Sequence, residues 1–158
     1  MTVQEIYDGS DGEATKALYR ELEALGPIGV IAVNLFRAHK TSARAKMYGH
    51  SKYRGMSYDK KDWSLNNLVS ALVEHGTSLG ITFGWKQDPN TPGYEWVLYV
   101  DLPTGQASFH TSRRGEGPDY TLEWDGEKKS GERIIQFVEM VRAGNVRAMQ
   151  AGAGIDAR

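Results

Sequence analysis

The chain has 158 residues, of which 40% are hydrophobic and 25% charged, an average soluble composition that argues against wholesale disorder. It contains no cysteine, which excludes disulfides, thiol chemistry and cysteine-based zinc sites. The longest apolar run, residues 27–36, is far shorter than the ~20 residues that span a bilayer. Residues 1–10 are polar and acidic and offer no secretory signal. We therefore expect a cytoplasmic protein without membrane contact.

The length of the chain fits one domain. We find no internal repeat and no linker within residues 1–143, whereas residues 144–158 are mostly small or polar. The sequence therefore predicts a single α+β domain over residues 1–143, followed by a flexible C-terminal tail.

Positive charge is concentrated in residues 37–61, which we call the basic segment. The chain has a net charge of −1, but this segment holds eight Lys/Arg residues against one acid, so it carries +7 and the remainder −8. Basic runs with interleaved tyrosines are typical of surfaces that contact phosphates and stacked bases. A solvated loop, or pairing with an acidic helix, fits the same composition. The candidate anion-binding residues are Arg37, Lys40, Arg44, Lys46, Lys52 and Arg54, with Tyr48 and Tyr53 for stacking.

Helices are predicted in the first part of the chain. The first ten residues show no regular pattern, and Ser10 or Asp11 can cap a helix that runs to about Leu25. Residues 28–46 favour one long helix, because no residue interrupts them and their second half is rich in strong helix formers. A short strand over residues 29–35 is the alternative, since this part is rich in β-branched residues.

Three of the cations share a face of the predicted long helix. Arg37, Lys40 and Arg44 have the spacing i, i+3 and i+7, which brings them to one side. Such a row can meet a phosphate backbone. It can equally complement the negative end of the helix dipole, which needs no ligand.

Two further helices follow from caps and apolar stripes. Asp59 or Asp62 can cap a third helix that runs to about Glu74. Ser130 can cap a last helix that Gly144 stops.

The apolar period changes from helical to two after residue 80. Alternation predicts strands over about 81–86, 94–102 and 106–112, whereas the glycine-rich, charged residues 113–129 read as a loop. The order of elements implies an α+β fold: a three-stranded antiparallel meander packed against about four helices.

The second and third strands predict a hairpin. With Thr104-Gly105 as a two-residue loop, Val100 lies opposite Phe109, and the apolar residues of both strands share one face. The same register pairs Tyr99 with His110 and Asp101 with Ser108 on the polar face. A nucleophile, a base and its orienter are of these residue types. They are therefore weak catalytic candidates, and a plain solvated sheet face has the same pattern.

Arg113 and Arg114 follow this strand and precede a glycine-rich turn, an arrangement that can hold a phosphate by bidentate contacts. Ion pairs with nearby acids are the alternative. The four histidines, His39, His50, His75 and His110, are scattered without metal-ligand spacing. We therefore expect no metal site, and no motif indicates a cofactor.

Several stretches resemble uncharacterised small proteins of prophages and mobile gene cassettes. They are YVDLPTGQASFH, RRGEGPDY, EWDG with GERII, NLFRAHKTSARAKMYG and RGMSYDKKDW, and together they cover roughly residues 30–140. That group has no assigned activity, so the resemblance implies an accessory role on a mobile element and no particular catalytic residues.

Three functions remain open from the sequence. The first is binding of nucleic acid or another phosphate-rich anion by the basic segment, with Arg113 and Arg114 as a second patch. The second is a protein-interaction accessory, such as an inhibitor or adaptor. The third is a small hydrolase-like enzyme on the Tyr99/Asp101/Ser108/His110 face.

Overall fold

The computed structural model describes the backbone of residues 1–48, 57–87, 96–114, 121–126 and 128–144, and the side chains of 1–41, 64–86, 97–109 and 129–144. The α+β fold is confirmed, with an antiparallel meander whose described strands follow the order β1-β2-β3-β4. The helices are α1 (Val3–Asp8), α2 (Gly12–Glu23), α3 (Pro27–Tyr48), α4 (Ser57–Ala71) and α5 (Lys128–Arg142). The strands are β1 (Phe83–Gln87), β2 (Trp96–Leu102), β3 (Gly105–Arg114) and β4 (Thr121–Gly126).

The first ten residues contain a helix, α1, which the sequence analysis missed. Thr2 and Glu5 form a capping box: the Thr2 hydroxyl accepts from the Glu5 amide, and the Glu5 carboxylate accepts from the Thr2 amide. Hydrogen bonding of the carboxylate by the backbone and side chain of Thr2 favours its ionised form and holds the pKa of Glu5 below its ordinary value. The helix buries Val3 and Ile6 in the core. The next helix, α2, begins as predicted behind Asp11, whose carboxylate accepts from two backbone amides.

The long helix predicted over residues 28–46 is confirmed as α3, and the alternative strand over 29–35 is wrong. Tertiary burial decides between them, because most of the first half of α3 is buried and contributes to the core. Gly29 lets this helix cross the end of α2 closely, since a Cβ there would lie 1.7 Å from the Leu22 carbonyl oxygen.

The third predicted helix is found as α4, but neither Asp59 nor Asp62 caps it, because both lie inside a helix that begins at Ser57. It continues into a π-helical turn over Leu72–Gly76 and a short 3-10 turn over Thr77–Leu79. The left-handed Gly80 then ends the helical segment. Within the wider π turn, the apolar side chain of Val73 is 67% exposed.

The predicted hairpin between β2 and β3 exists, but its predicted register is wrong by two residues. Val100 pairs with Ala107 and not with Phe109, and the loop is Pro103-Thr104. A loop at Thr104-Gly105 would require positive φ at the β-branched Thr104. Proline and threonine instead form the turn, and Gly105 takes the positive φ of +125°. A shift of two preserves the faces, so the apolar residues still lie on one side.

The predicted loop over residues 113–129 is wrong, because it contains the end of β3, strand β4 and the start of α5. β4 pairs antiparallel with β3 from Phe109 to Arg114. Beyond the end of β4, two side chains of helix α5 form hydrogen bonds with backbone groups of β3. The Ser130 hydroxyl accepts from the Ser108 amide at 2.9 Å, and the Arg133 guanidinium donates to the Gln106 carbonyl at 2.6 Å. Ser130 lies inside α5 and is not its cap.

One hydrophobic cluster lies between the helices and one face of the sheet. Helices α3 and α4 contact β4, and α5 contacts β2 and β3. The largest buried side chains include Phe36 of α3, Phe109 of β3 and Phe137 of α5. Within the part of the chain that the structure describes, no helix is both long and apolar enough to cross a membrane. The predicted tail from residue 145 onwards lies outside the described residues.

Candidate functional site

The side of the sheet opposite the core, which we call the open face, carries the polar residues of alternate strand positions. Its described side chains are those of Lys86, Val97, Tyr99, Asp101, Gln106 and Ser108, all half-buried or exposed. The buried Leu98, Val100, Ala107 and Phe109 alternate with them and face the helices. The alternation predicted from the sequence therefore sorts the core from the open face correctly.

Tyr99 lies across the neighbouring strand β1. It pairs with Gly84, and a Cβ on that glycine would lie 2.8 Å from the Tyr99 hydroxyl oxygen and 3.1 Å from Cζ. The phenol ring thus occupies the space above Gly84. On the same ring, the ammonium of the exposed Lys86 lies 4.8 Å from the centroid. Tyr99 and Lys86 form an aromatic and cationic pair near the centre of the open face.

The catalytic candidates are not paired across β2 and β3 as predicted. Asp101 pairs with Gln106, whose amide donates to its carboxylate at 2.9 Å, and Ser108 lies opposite Tyr99. His110 lies four residues beyond Gln106 on β3, roughly 13 Å along the strand at ~3.3 Å per residue. Asp101 is therefore too far away to orient His110, and the predicted Tyr99–His110 and Asp101–Ser108 pairs are wrong.

β4 changes the surroundings of His110. The register pairs His110 with Asp125 on β4 and with Val97 on β2. Ser112 pairs with Glu123 in the same register. Arg113 and Arg114 are successive residues of β3 and so belong to opposite faces.

Two predicted anion-binding cations have structural contacts inside the fold. The Lys40 ammonium donates to the carbonyl oxygens of Ile6 at 2.7 Å and Gly9 at 2.9 Å, and Lys40 is only 9% exposed. It caps the end of α1, so we correct its assignment from anion binding to helix docking. Arg37 is half-buried with its guanidinium 4.9 Å from the centroid of the Tyr19 ring. The predicted row of three cations is therefore not a uniformly exposed face.

The side chains of the other predicted residues of the basic segment lie outside the described residues. Arg44, Lys46 and Tyr48 lie in the last turns of α3, but their side chains are outside the described residues. Lys52, Tyr53 and Arg54 lie in the undescribed stretch between α3 and α4. For these six residues the sequence prediction stands as a prediction.

Buried polar contacts of Tyr7, His39 and Lys40 attach α1 to α3, and we call these three residues the docking cluster. The Tyr7 hydroxyl lies 2.5 Å from His39 Nδ1, and His39 is 5% exposed. The His39 ring packs edge-on against Phe109. Burial, assisted by the nearby Asp8 carboxylate, raises the pKa of Tyr7 to about 12. Helix α5 approaches closely here, because Gly131 leaves room for the His39 ring.

The side chains described by the structure contain no group of three metal-ligating residues. Comparison with known proteins gives no further guide: no family model, curated protein or solved structure matches this chain.

The contact between Lys86 and Tyr99 was not predicted from the sequence, in which Tyr99 is a catalytic candidate only. The signal that could have found the pair is Gly84, a glycine inside an apolar alternating strand. Such a glycine often marks a close approach by a neighbouring group. Here the approaching group is the Tyr99 ring.

Proposed function

We propose that the protein binds nucleic acid or another phosphate-rich anion through the cations of the basic segment, with Arg113 and Arg114 as a second group. Two of the eight Lys/Arg residues in the segment, Arg37 and Lys40, have contacts inside the fold. The other six, with Asp59 as the only acid, still make it strongly positive in a chain whose remainder is acidic. Such a segment creates a local field that attracts polyanions.

The observation that carries the proposal is the arrangement of elements around β4. The basic segment covers the end of α3 and the start of α4, and both helices contact β4. The partners of β4 on β3 include Arg113 and Arg114, which pair with Leu122 and Thr121. The two cationic groups therefore belong to elements that adjoin one strand, and this arrangement supports the proposal that both groups contact one extended polyanion.

The proposal is tested by measuring oligonucleotide affinity as a function of salt. We expect the logarithm of the binding constant to fall linearly with the logarithm of the salt concentration, because bound phosphates release counterions. The double variant Lys52→Gln/Arg54→Gln should reduce the slope by about 1.4–1.8, since each phosphate contact contributes roughly 0.7–0.9.

The matched control is Lys16→Gln/Lys129→Gln, which removes two exposed lysines outside the basic segment. It should leave the slope within about 0.3 of the original, well below the contribution of one contact. Absence of binding at low salt, or equal weak retention at every salt concentration, would overturn the proposal. A stable protein partner captured without any affinity for nucleic acid would favour the accessory function instead.

A further inference from the structure

The ring of Tyr99 lies along the open face of the sheet. Its hydroxyl, Cζ and Cε1 atoms lie 2.8, 3.1 and 3.2 Å from where a Gly84 Cβ would be. Any other residue at position 84 would therefore push the ring away. The hydroxyl end of the ring therefore lies against Gly84 of β1, where no side chain obstructs it, and we call this ring the platform.

The Lys86 ammonium occupies a position over this ring, 4.8 Å from its centroid. An exposed cation–π contact changes an equilibrium constant by about two- to fivefold, whereas stacking of a base on an aromatic side chain contributes about 5- to 150-fold. A nucleobase therefore outcompetes the lysine for the ring. Because Lys86 is exposed and has a long flexible side chain, its displaced ammonium stays close enough to contact the phosphate of the stacked nucleotide.

The other residues of the open face limit the path that a nucleic-acid single strand can follow across it. Ser108, directly opposite Tyr99, offers a half-buried hydroxyl beside the platform. The exposed Asp101 carboxylate borders one end and repels phosphates there. In the other direction β3 continues for six residues, roughly 20 Å, to Arg114.

A flat platform distinguishes single strands from duplexes. In a duplex the base faces are stacked on one another and only the edges are accessible. A single strand can turn an unstacked base onto an aromatic ring while a cation contacts its backbone. Among the described residues of the open face, Tyr99 and Lys86 supply this combination.

We infer that the open face binds single-stranded nucleic acid, with one base stacked on Tyr99 and its phosphate contacted by Lys86. The inference rests on the proposed function, because the cations elsewhere supply the general affinity for polyanions. It adds a preference for single strands and a specific residue on which that preference depends.

The test compares the affinities of the full chain and its variants for a labelled pyrimidine oligonucleotide and for its duplex at one salt concentration. Tyr99→Ile removes the ring while keeping a residue favoured in strands, and should weaken single-strand binding by about 5- to 150-fold. Tyr99→Phe keeps the ring and should bind within about twofold of the original protein. Duplex binding should be the same in all three proteins. DNA and RNA versions of the oligonucleotide identify which sugar is preferred.

The fold of each variant is checked by its thermal unfolding midpoint. If Tyr99→Ile does not fold, the original protein is photo-crosslinked to a 4-thiouridine oligonucleotide, and the adduct should map to Tyr99, Lys86 or their strand neighbours. Equal loss of single-strand and duplex binding in Tyr99→Ile, or adducts confined to other elements, would overturn the inference. Both results would leave the proposed function intact. Absence of binding to either nucleic acid would instead overturn the proposed function.

Discussion

The docking cluster and the open face use the same residue types in opposite ways. In each region a lysine ammonium lies near an aromatic ring: Lys40 is 5.9 Å from the Phe36 centroid, and Lys86 is 4.8 Å from the Tyr99 centroid. Lys40 is buried and donates to two carbonyl oxygens at the end of α1, whereas Lys86 is exposed. Whether a lysine stabilises the fold or can contact a ligand therefore depends on whether backbone carbonyl oxygens of the fold accept hydrogen bonds from its ammonium.

This difference predicts that changes in the docking cluster reduce the free energy of unfolding, whereas changes on the open face reduce binding. It also explains why the charge of the basic segment overstates its capacity to bind an anion. Lys40 contributes to the count but donates to backbone carbonyls in the interior.

The largest effect is expected for Lys40→Met, which keeps the helical side chain but removes the ammonium. The carbonyls of Ile6 and Gly9 lose a charged donor, and each such hydrogen bond contributes about 1.5–3 kcal/mol. Because burial of the charge is itself costly, we expect the free energy of unfolding to fall by about 2–4 kcal/mol. Urea denaturation of the variant and the original protein measures this difference.

Lys86→Met is the matched control for stability, since it removes the same group from an exposed position. Its free energy of unfolding should stay within about 0.5 kcal/mol of the original. If the two variants lose similar stability, the contrast between the regions is wrong.

The next largest effect is expected for Gly131→Ala, beside the docking cluster. The added Cβ would lie 2.7 Å from Cε1 of the buried His39 ring, which is held by Tyr7 and Phe109. Overpacking costs about 1–3 kcal/mol, partly offset by the ~1 kcal/mol that alanine gains inside a helix. Calorimetry should therefore report a lower melting temperature, by several degrees. Gly12→Ala, where nothing lies within 4 Å of the added atom, should leave it unchanged or slightly higher.

A smaller effect with a distinct pH dependence is expected for Tyr7→Phe. The folded protein raises the pKa of Tyr7 to about 12, from an ordinary value of 10.0, so it favours the protonated phenol. This contribution to stability is complete below pH 10 and is lost as the pH rises through 10 towards 12. Tyr7→Phe removes the bond to His39, so it should cost about 1 kcal/mol at neutral pH and lose less stability than the original protein between pH 10 and 12.

Denaturation midpoints of both proteins at pH 8 and at pH 11 measure this difference. All other residues are the same in the two proteins, so their contributions cancel in the comparison. A gap that stays constant with pH would contradict the assignment of Tyr7 as a buried, protonated group.

The sequence allowed the elements with long apolar periods to be predicted, because their pattern repeats several times before it ends. α2 and the first three strands are of this kind, whereas α3 was predicted from its uninterrupted length and its helix-forming second half. β4 was missed because its alternation is short: Leu122 and Trp124 lie among acids and glycines, and a strand there depends on pairing with an extended β3. α1 was missed because six residues contain little periodicity and the helix depends on packing against α2 and α5 and on side-chain contacts with α3.

The candidate site was less predictable than the fold, because its contacts join residues that are distant in the sequence. Lys40 meets carbonyls 31 and 34 residues earlier in the chain. The pairing of Tyr99 with Gly84 depends on the register between β1 and β2. The hairpin error shows how sensitive such pairs are: a shift of two residues kept every face correct and changed every partner.

The smallest stability effect and the sharpest contrast with Gly131 are expected for Gly84→Ala on the open face. The added Cβ would lie 2.8 Å from the Tyr99 hydroxyl oxygen, nearly the same clearance as at Gly131. Here the obstructing atom is the end of a half-exposed side chain, which can rotate away with little effect on packing. We expect the melting temperature to change by no more than about 2 °C.

Because the displaced ring no longer lies along the sheet, single-strand affinity should fall by several-fold while duplex affinity is unchanged. Melting and binding measured on the same preparation test both parts, and a large loss of stability with normal single-strand binding would make Gly84 a packing position like Gly131.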